Sequence, residues 1–481
     1  MNSDSRKQRL LKRHRRKNRL VMAFSLLFLA CFGVAFGFAW IPLLLLLEWL
    51  AHEAWFSDHL FYAPGEDYAY RFDDRVETLP ARFEAGRLTL APAQGHAPGD
   101  DDTLLLGVTL RATWLGRFLD PAVIVEGRNL AADRQTFERG VNGLRYLNLT
   151  GGANALRADG LRLRGRHCRL IGEPVLRRAS HPDYRGQRIL VIAPHADDAE
   201  LAAFGLYSQA KEAWIVTLTA GEIETQHYRR MGLNGVEAAR LKGALRAWDS
   251  VAVPSWGGVP PGRCVQLGYF CLQLPAMRAE PDKPIASREA DLADTRPFRR
   301  FNHIRLPSDE NGVPSWRNLV ADLRQLVAAA RPEVIVLPHP RLDPHPDHMA
   351  ASAALRQALA GCAWQPQTLL HYTNHLHDND RWPMGEAHAG VPLPPLMEDA
   401  GPLVPCLFCL DEACQRDKAM ALGMMHDLRT PPPFKRRLRR AIQRVLAARR
   451  HPPWGENEYF RKAVRRHEVF FQAGISSGEG L

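Results

Sequence analysis

Ile189-Leu190-Val191-Ile192, followed after Ala193-Pro194 by His195-Ala196-Asp197-Asp198-Ala199-Glu200, decides the fold of this chain. A short aliphatic run with no polar position reads as a strand buried on both faces, and such strands sit in parallel sheets covered by helices. The pattern recurs about 150 residues on, where Val334-Ile335-Val336-Leu337 leads to Asp343-Pro344-His345-Pro346-Asp347-His348. Both polar clusters therefore lie just past the carboxyl end of a strand, where open α/β sheets build their sites. Working outward, 214–218 reads as a further strand, 236–248, 316–330 and 347–360 have helical spacing, and 368–372 returns as a strand. This alternation predicts an α/β fold, a doubly wound and mostly parallel Rossmann-like sheet over 186–473. The proline-rich stretch 254–315 is long for a connection and is expected to be a substrate-binding insertion or lid.

The two clusters contain what one catalytic zinc requires, namely three protein ligands drawn from imidazole and carboxylate, with one position left open. His195 and Asp198, three residues apart on a tight loop, can converge on one ion, and His348 arrives from the neighbouring strand end. Asp197 is left free to take a proton from an activated water and return it to a leaving amine. His345 is placed to stabilise an oxyanion or to protonate the leaving nitrogen. Asp343 and Asp347 read as groups that orient His345 or His348, or as a helix cap. His339 duplicates nothing the metal lacks and is left out of the ligand set. Taken singly, each cluster has a plainer reading as turn chemistry, because Asp favours turns. Two of them, each behind its own strand, point to a metal site equipped for amide hydrolysis.

The pair of motifs resembles the PIG-L/LmbE family of zinc-dependent de-N-acetylases, which act on N-acetylglucosaminyl-phosphatidylinositol and related sugars. Residues 195–200 stand where that family has His-Pro-Asp-Asp-x-Glu, with Ala196 in place of proline, and 345–348 match its His-Pro-Asp-His at each position. The resemblance implies an LmbE-like sheet, metal at His195, Asp198 and His348, a general base at Asp197 and a transition-state role for His345. Thr219-Ala220-Gly221-Glu222 is similar to a further family segment, in which Glu222 would sit near the substrate. Proline at 196 would stiffen the loop without ligating anything, so its absence softens the geometry and leaves the chemistry in place. The resemblance covers roughly 187–375, and less fully onward to about 473.

Residues 20–47 carry no charge. A helix over 20–50 is long enough to cross a hydrocarbon core of ~30 Å, with Trp40 and Trp49 as interface anchors. Two crossings would need roughly 40 apolar residues, so a single pass is expected over a hairpin, although Ile41-Pro42 could bend the segment. The nine Lys and Arg of residues 1–19 form a tail that belongs on the cytoplasmic side, placing the rest of the chain beyond an inner (cell) membrane. With Asp4, that tail carries +8 of the net +11, leaving +3 over the other 462 residues, so nucleic acid is not an expected partner. Between 62 and 175, short period-two runs broken by Gly, Asp and Pro predict a β-sandwich resembling jelly-roll modules of carbohydrate-active enzymes, as spacer or as glycan binder. Residues 435–450 read as a basic amphipathic helix, either packed on the surface or touching lipid phosphates. Of eight cysteines, Cys406 and Cys409 have CxxC spacing, with Cys414 nearby but no second CxxC. That argues against a zinc ribbon and leaves a 406–409 disulfide open.

These readings combine into a membrane-anchored hydrolase holding one zinc per chain. Its expected substrate is an N-acetylated amino sugar of the N-acetylglucosamine type in a cell-envelope glycolipid or polysaccharide, such as lipopolysaccharide. Two alternatives compete. A metal phosphoesterase would hold two ions about 3.5–4 Å apart through bridging carboxylates. An inactive, membrane-anchored glycan-binding protein would need neither Asp197 nor His345.

Overall fold

A computed structural model describes residues 6–57, 63–91, 97–376, 379, 381–429, 432–450 and 458–473. The first five residues of the basic tail and positions 62 and 92–96 of the predicted β-module lie outside the described residues.

The protein is mixed α/β. Five strands run parallel: β1 (Arg188–Ala193), β2 (Glu212–Thr219), β3 (Cys264–Tyr269), β4 (Val334–Pro338) and β5 (Thr368–Tyr372). The sheet continues through β6 (Pro402–Cys409) and β7 (His467–Ala473), in the spatial order 71–72, β6, β7, β5, β4, β1, β2, β3. The chain starts at β1, winds outward through β2 and β3, and then returns to lay β4 on the other side of β1. Ile189 pairs with Val334 and Val191 with Val336, so the carboxyl ends of β1 and β4 come out level. That register is why two clusters so distant in sequence meet.

Both faces of the sheet are covered. Leu190 and Ile192 pack on Leu319 and Leu323 of α5 (Trp316–Ala330) and Ala351 and Ala354 of α6 (Pro346–Ala360). Ile189, Val191 and Ala193 face Ala203 and Phe204 of α3 (Asp198–Ser208), with Ala419 and Leu422 of α7 (Glu412–Met424) in the same cluster. Each fully buried aliphatic side chain of this kind contributes roughly 1.5–3 kcal/mol.

The stretch 254–315 is not a free lid. Its residues Cys264–Tyr269 are β3, paired with β2. Gln266 breaks the aliphatic run and hides the strand in the sequence. It is nevertheless buried, because its amide finds Thr219 O, Ser250 Oγ and the Gly268 N–H. Further along, the buried Arg299 donates to Leu267 O, Ser308 Oγ, Asp309 and Asp322, clamping the segment to the sheet.

Helix α3 breaks at Ala203, which leaves the helical region at φ −138° and ψ 17°. The new helix start is capped from outside by the Glu468 carboxylate of β7, which accepts from the N–H groups of Gly205 and Leu206. Lys418 of α7 neutralises that carboxylate at 2.7 Å, and both side chains are only 1% exposed. Lys418→Met strands the buried charge, and is expected to cost about 3 kcal/mol of stability in a denaturant titration. A loss below about 0.5 kcal/mol would show that the pair does not hold the break.

Nine strands lying between 76 and 179 form two antiparallel sheets of four and five strands. Leu104, Leu106 and Leu147 from the first and Leu88, Val123 and Leu163 from the second share one apolar cluster. The chain just before them belongs elsewhere: Arg71–Phe72 pairs with β6 of the large sheet. Fully buried Arg145 is paired with Glu138 and donates to the carbonyls of Pro64 and Glu66, fastening this approach segment to the module.

The apolar N-terminus departs from a single straight helix over 20–50. Helix α1 (Arg6–Phe36) ends at Gly37, whose φ of 93° lies where only glycine is unstrained. After a short turn, α2 (Ile41–Ala51) starts with Pro42 in its first turn and runs back along α1. Ser25 Oγ donates to the Glu48 carboxylate, and a Cβ added at Gly33 would lie 2.8 Å from the Phe38 ring and 3.2 Å from Ile41 Cδ1. By length and composition α1 can cross a membrane, a property it shares with signal sequences.

All eight cysteines are free thiols. Cys406 and Cys409 stand three residues apart on β6, so their side chains leave opposite faces, and the disulfide left open by their spacing does not form.

Candidate active site

β1 delivers His195 through Pro194, and Asp198 opens α3 with Asp197 at its N-cap position. On the neighbouring strand end, His345 is the N-cap of α6, Pro346 its first residue, and His348 lies in its first turn. The His-Pro-Asp-His order thus has a backbone reason, since proline suits the first helical position.

His195, Asp198 and His348 come together. His195 Nδ1 and Asp198 Oδ2 are 3.2 Å apart, His348 Nε2 and Asp198 Oδ2 3.2 Å, and His348 Nε2 and His195 Nδ1 3.4 Å. Tetrahedral coordination at about 2.0–2.1 Å places neighbouring ligand atoms roughly 3.3 Å apart. The donor triangle therefore fits a zinc-sized cation. Each of these three side chains is also held from behind. His195 Nε2 faces Asp347 Oδ2 at 3.2 Å, and His348 Nδ1 faces Asp343 Oδ2 at 2.9 Å. Asp198 Oδ1 accepts from Asn374 Nδ2 at 2.7 Å. Asp343 in turn accepts the N–H groups of Asn374 and His375, and Asp347 that of Leu272. Carboxylates behind metal-binding imidazoles fix the tautomer and the ring direction.

The electrostatics favour a cation at this point. Burial works against charge on both imidazoles, but Asp198, Asp347 and the Cys271 thiol hold His195 well above its ordinary range. Asp198 and Asp343 push His348, against its own burial, up to about 9. A metal must displace those protons. Zinc uptake at pH 7 is expected to release protons into weak buffer, and zinc affinity to rise with pH up to about 9. An affinity flat between pH 6 and 9 would contradict this assignment of protons.

Asp197 stands beside the triangle, its Oδ1 3.3 Å from Arg246 Nη2 of α4 (Gly235–Ala252). Burial disfavours the Arg246 charge, yet Asp197 and Asp427 raise its pKa, so the guanidinium stays cationic. Gly221 makes room for it: its φ is 64°, and a Cβ there would collide with the guanidinium. The His345 ring lies 4.9 Å from that of His195 and 4.8 Å from that of His348, centre to centre. Burial, with His195 and His348 beside it, pushes its pKa down to about 4. The neutral ring accepts the Asp347 N–H at Nδ1, which leaves its proton on Nε2.

Glu222 is turned into the protein interior. It is fully buried, accepting from the Cys271 N–H and the Ser287 hydroxyl, and so fastens the segment after β3 against the site. Within Thr219-Ala220-Gly221-Glu222, Gly221 bears on the site by leaving room for Arg246. Glu200 is also buried, which pushes its carboxyl up to about 8, and it stays outside the ligand set. His339 Nδ1 accepts from Arg341 N and Leu342 N in the turn before the site. Sequence reasoning misses Arg246, Asn374 and His375. His375 stacks on His345 at 5.1 Å, with its donor atom within 4.8 Å of those of Asp198 and His348. Asn374 and His375 follow the end of β5, so the rule that sites form at carboxyl strand ends could have found them. Arg246 lies inside a helix with no motif around it.

Residues 190–359 match the family model PIG-L, GlcNAc-PI de-N-acetylase. No curated protein matches the chain. One similar solved structure is a triple mutant of a deacetylase of the teicoplanin biosynthetic pathway. It is 15% identical with a TM-score of 0.32, over 60% of this chain and 100% of that one. Another is GalB, the 4-carboxy-2-hydroxymuconate hydratase of Pseudomonas putida KT2440, 15% identical with a TM-score of 0.26, over 53% and 83%. At these scores neither likeness bears on activity. The family match runs from β1 to α6 and includes His195, Asp197, Asp198, His345 and His348, so residues 190–359 form a domain of the GlcNAc-PI de-N-acetylase (PIG-L) family.

Proposed function

We propose that the protein is a zinc-dependent hydrolase that removes the N-acetyl group from an amino sugar of the N-acetylglucosamine type, carried on a cell-envelope glycolipid or polysaccharide. The observation that carries this reading is the convergence of His195 Nδ1, Asp198 Oδ2 and His348 Nε2 within 3.4 Å, with Asp197 and His345 beside them. The PIG-L domain supports amide hydrolysis as the reaction.

His195, Asp198 and His348 would hold a divalent cation, which would supply Lewis acidity for lowering the pKa of a water toward ~7 and polarising the acetyl carbonyl. Asp197 takes the proton of the attacking water as its oxygen adds to the carbonyl carbon, and Arg246 keeps that carboxylate in position. The Nε2–H of His345 donates to the oxyanion that develops on the carbonyl oxygen. As the carbon–nitrogen bond breaks, Asp197 passes its proton to the leaving nitrogen, giving the free amine and acetic acid, which ionises to acetate by releasing its proton to solvent.

The full-length protein in detergent is expected to release acetate from glycolipids bearing N-acetylglucosamine. The activity should vanish with a chelator and return with one zinc per chain. A metal-loaded chain that releases no acetate across such a panel would overturn the proposal. Two ions per chain would favour a phosphoesterase.

A further inference from the structure

We propose that the chain is monotopic: its apolar hairpin enters and leaves the membrane through one face, so the catalytic body stands on the same side as the basic N-terminus. We further propose that α8 (Phe434–Leu446) lies on the anionic phosphate headgroups of that face. The inference rests on the hairpin and on α8, and stands independently of the deacetylase reading.

The two arms of the hairpin are in register. Ser25, Leu29 and Gly33 form an i, i+4, i+8 stripe on α1, opposed by Ile41, Leu44 and Glu48 at i, i+3, i+7 on α2, with Gly33 beside Ile41 and Ser25 bonded to Glu48. A small residue at the crossing and a polar pair satisfied between the arms are what helix contacts in lipid require. Ser25 and Glu48 sit roughly 17 Å from the Gly37 turn, about half of a ~30 Å hydrocarbon core. The uncharged part of α2 is too short to cross again, yet it has already carried the chain back toward its start. Past α2, Glu66 lies 2.8 Å from Arg6 at the start of α1. The approach segment, which continues through Arg71–Phe72 into the large sheet, thus starts beside the basic end of α1.

α8 is docked at the foot of this hairpin. Arg439 pairs with Glu53, and Gln443 Nε2 donates to Glu53 O. Its outward face carries Phe434, Leu438, Ala441 and Val445 at helical spacing, with Phe434 and Val445 each 79% exposed. Arg437 and Arg444 flank that stripe on one side and Lys435 on the other. An exposed apolar stripe edged by cations is the pattern of a helix lying in a membrane interface. Behind α8, a cavity of about 830 Å³ opens between the hairpin foot and the β-module. Among its described lining residues ten are Arg or Lys and three Asp or Glu, which suits phosphate oxygens. Placing α8 on the side of the basic tail also gathers the cationic segments on one face, as cytoplasmic segments require.

The test uses the full-length chain with a tag at each end, in sealed right-side-out vesicles treated with protease. Both tags should be protected, and both lost after permeabilisation. Tags on opposite sides, or an N-terminal tag removed by processing, would overturn the hairpin. In proteoliposomes, hydrogen exchange of the α8 amides should slow at least roughly tenfold when phosphatidylglycerol replaces part of the phosphatidylcholine, given a factor of roughly five per surface cation. Arg437→Glu with Arg444→Glu should erase that difference. Equal exchange in both vesicles, or competition by free inorganic phosphate alone, would overturn the lipid contact.

Discussion

Asp197→Asn is expected to lower the proposed acetate release by about 10²–10⁴-fold, the range general acid–base catalysis contributes, while leaving zinc binding intact. The asparagine retains the shape of the side chain and one oxygen for Arg246, now 3.3 Å from Asp197, but it can neither take the proton of the attacking water nor return one to the amine. The two halves of the result separate base from ligand. If zinc were lost together with activity, Asp197 would belong to the metal site; if activity persisted at full rate, the proton would travel by another route. Arg246→Met should reproduce part of the loss, because Asp197 then keeps its chemistry and loses its anchor.

His348→Ala is expected to abolish both zinc binding and turnover. It removes one of three donors, whereas Asp343→Asn only loosens the ring behind it, for which roughly 10–100-fold in metal affinity is the expected loss. The ordering His348→Ala far below Asp343→Asn below the parent, read by zinc titration, is the measurement that checks the geometry. The same substitution leaves Asp343 and Asp198 buried without the imidazole that sits 2.9 and 3.2 Å from them. A metal-free His348→Ala chain should therefore lose about 3–5 kcal/mol of stability at neutral pH, the cost of breaking a buried ion pair. Because His348 is raised to about 9, its stabilising charge is fully present below its ordinary pKa of about 6.5 and is lost as pH rises through about 9. The penalty for removing it should shrink above that pH. An undiminished penalty at pH 10 would point to lost packing instead.

The strands and helices that carry the site were open to reading because each is written in local chemistry. β1 and β4 are unbroken aliphatic runs, and α5 and α6 repeat their apolar positions at helical spacing. β3 was not, since Gln266 is polar and is buried only because Thr219 and Ser250 come from elsewhere to satisfy its amide. Hydropathy likewise marked the N-terminal segment as apolar, but hydropathy has no direction. The reversal depends on the Gly37 turn, the close approach at Gly33, and Ser25 meeting Glu48.

By itself the sequence determined the parallel α/β core, its two polar clusters, and the residue types available to hold one metal and move one proton. Only the tertiary structure decided which atom of each side chain turns inward. The level register of β1 and β4 brings the three donors together, Asp343 and Asp347 take the far imidazole nitrogens, and Arg246 reaches Asp197 from a helix with no motif. The physical reason is range. Burial period and strand propensity act between residues near in sequence and leave a trace there, whereas coordination geometry arises between side chains about 150 residues apart, and no local pattern records it.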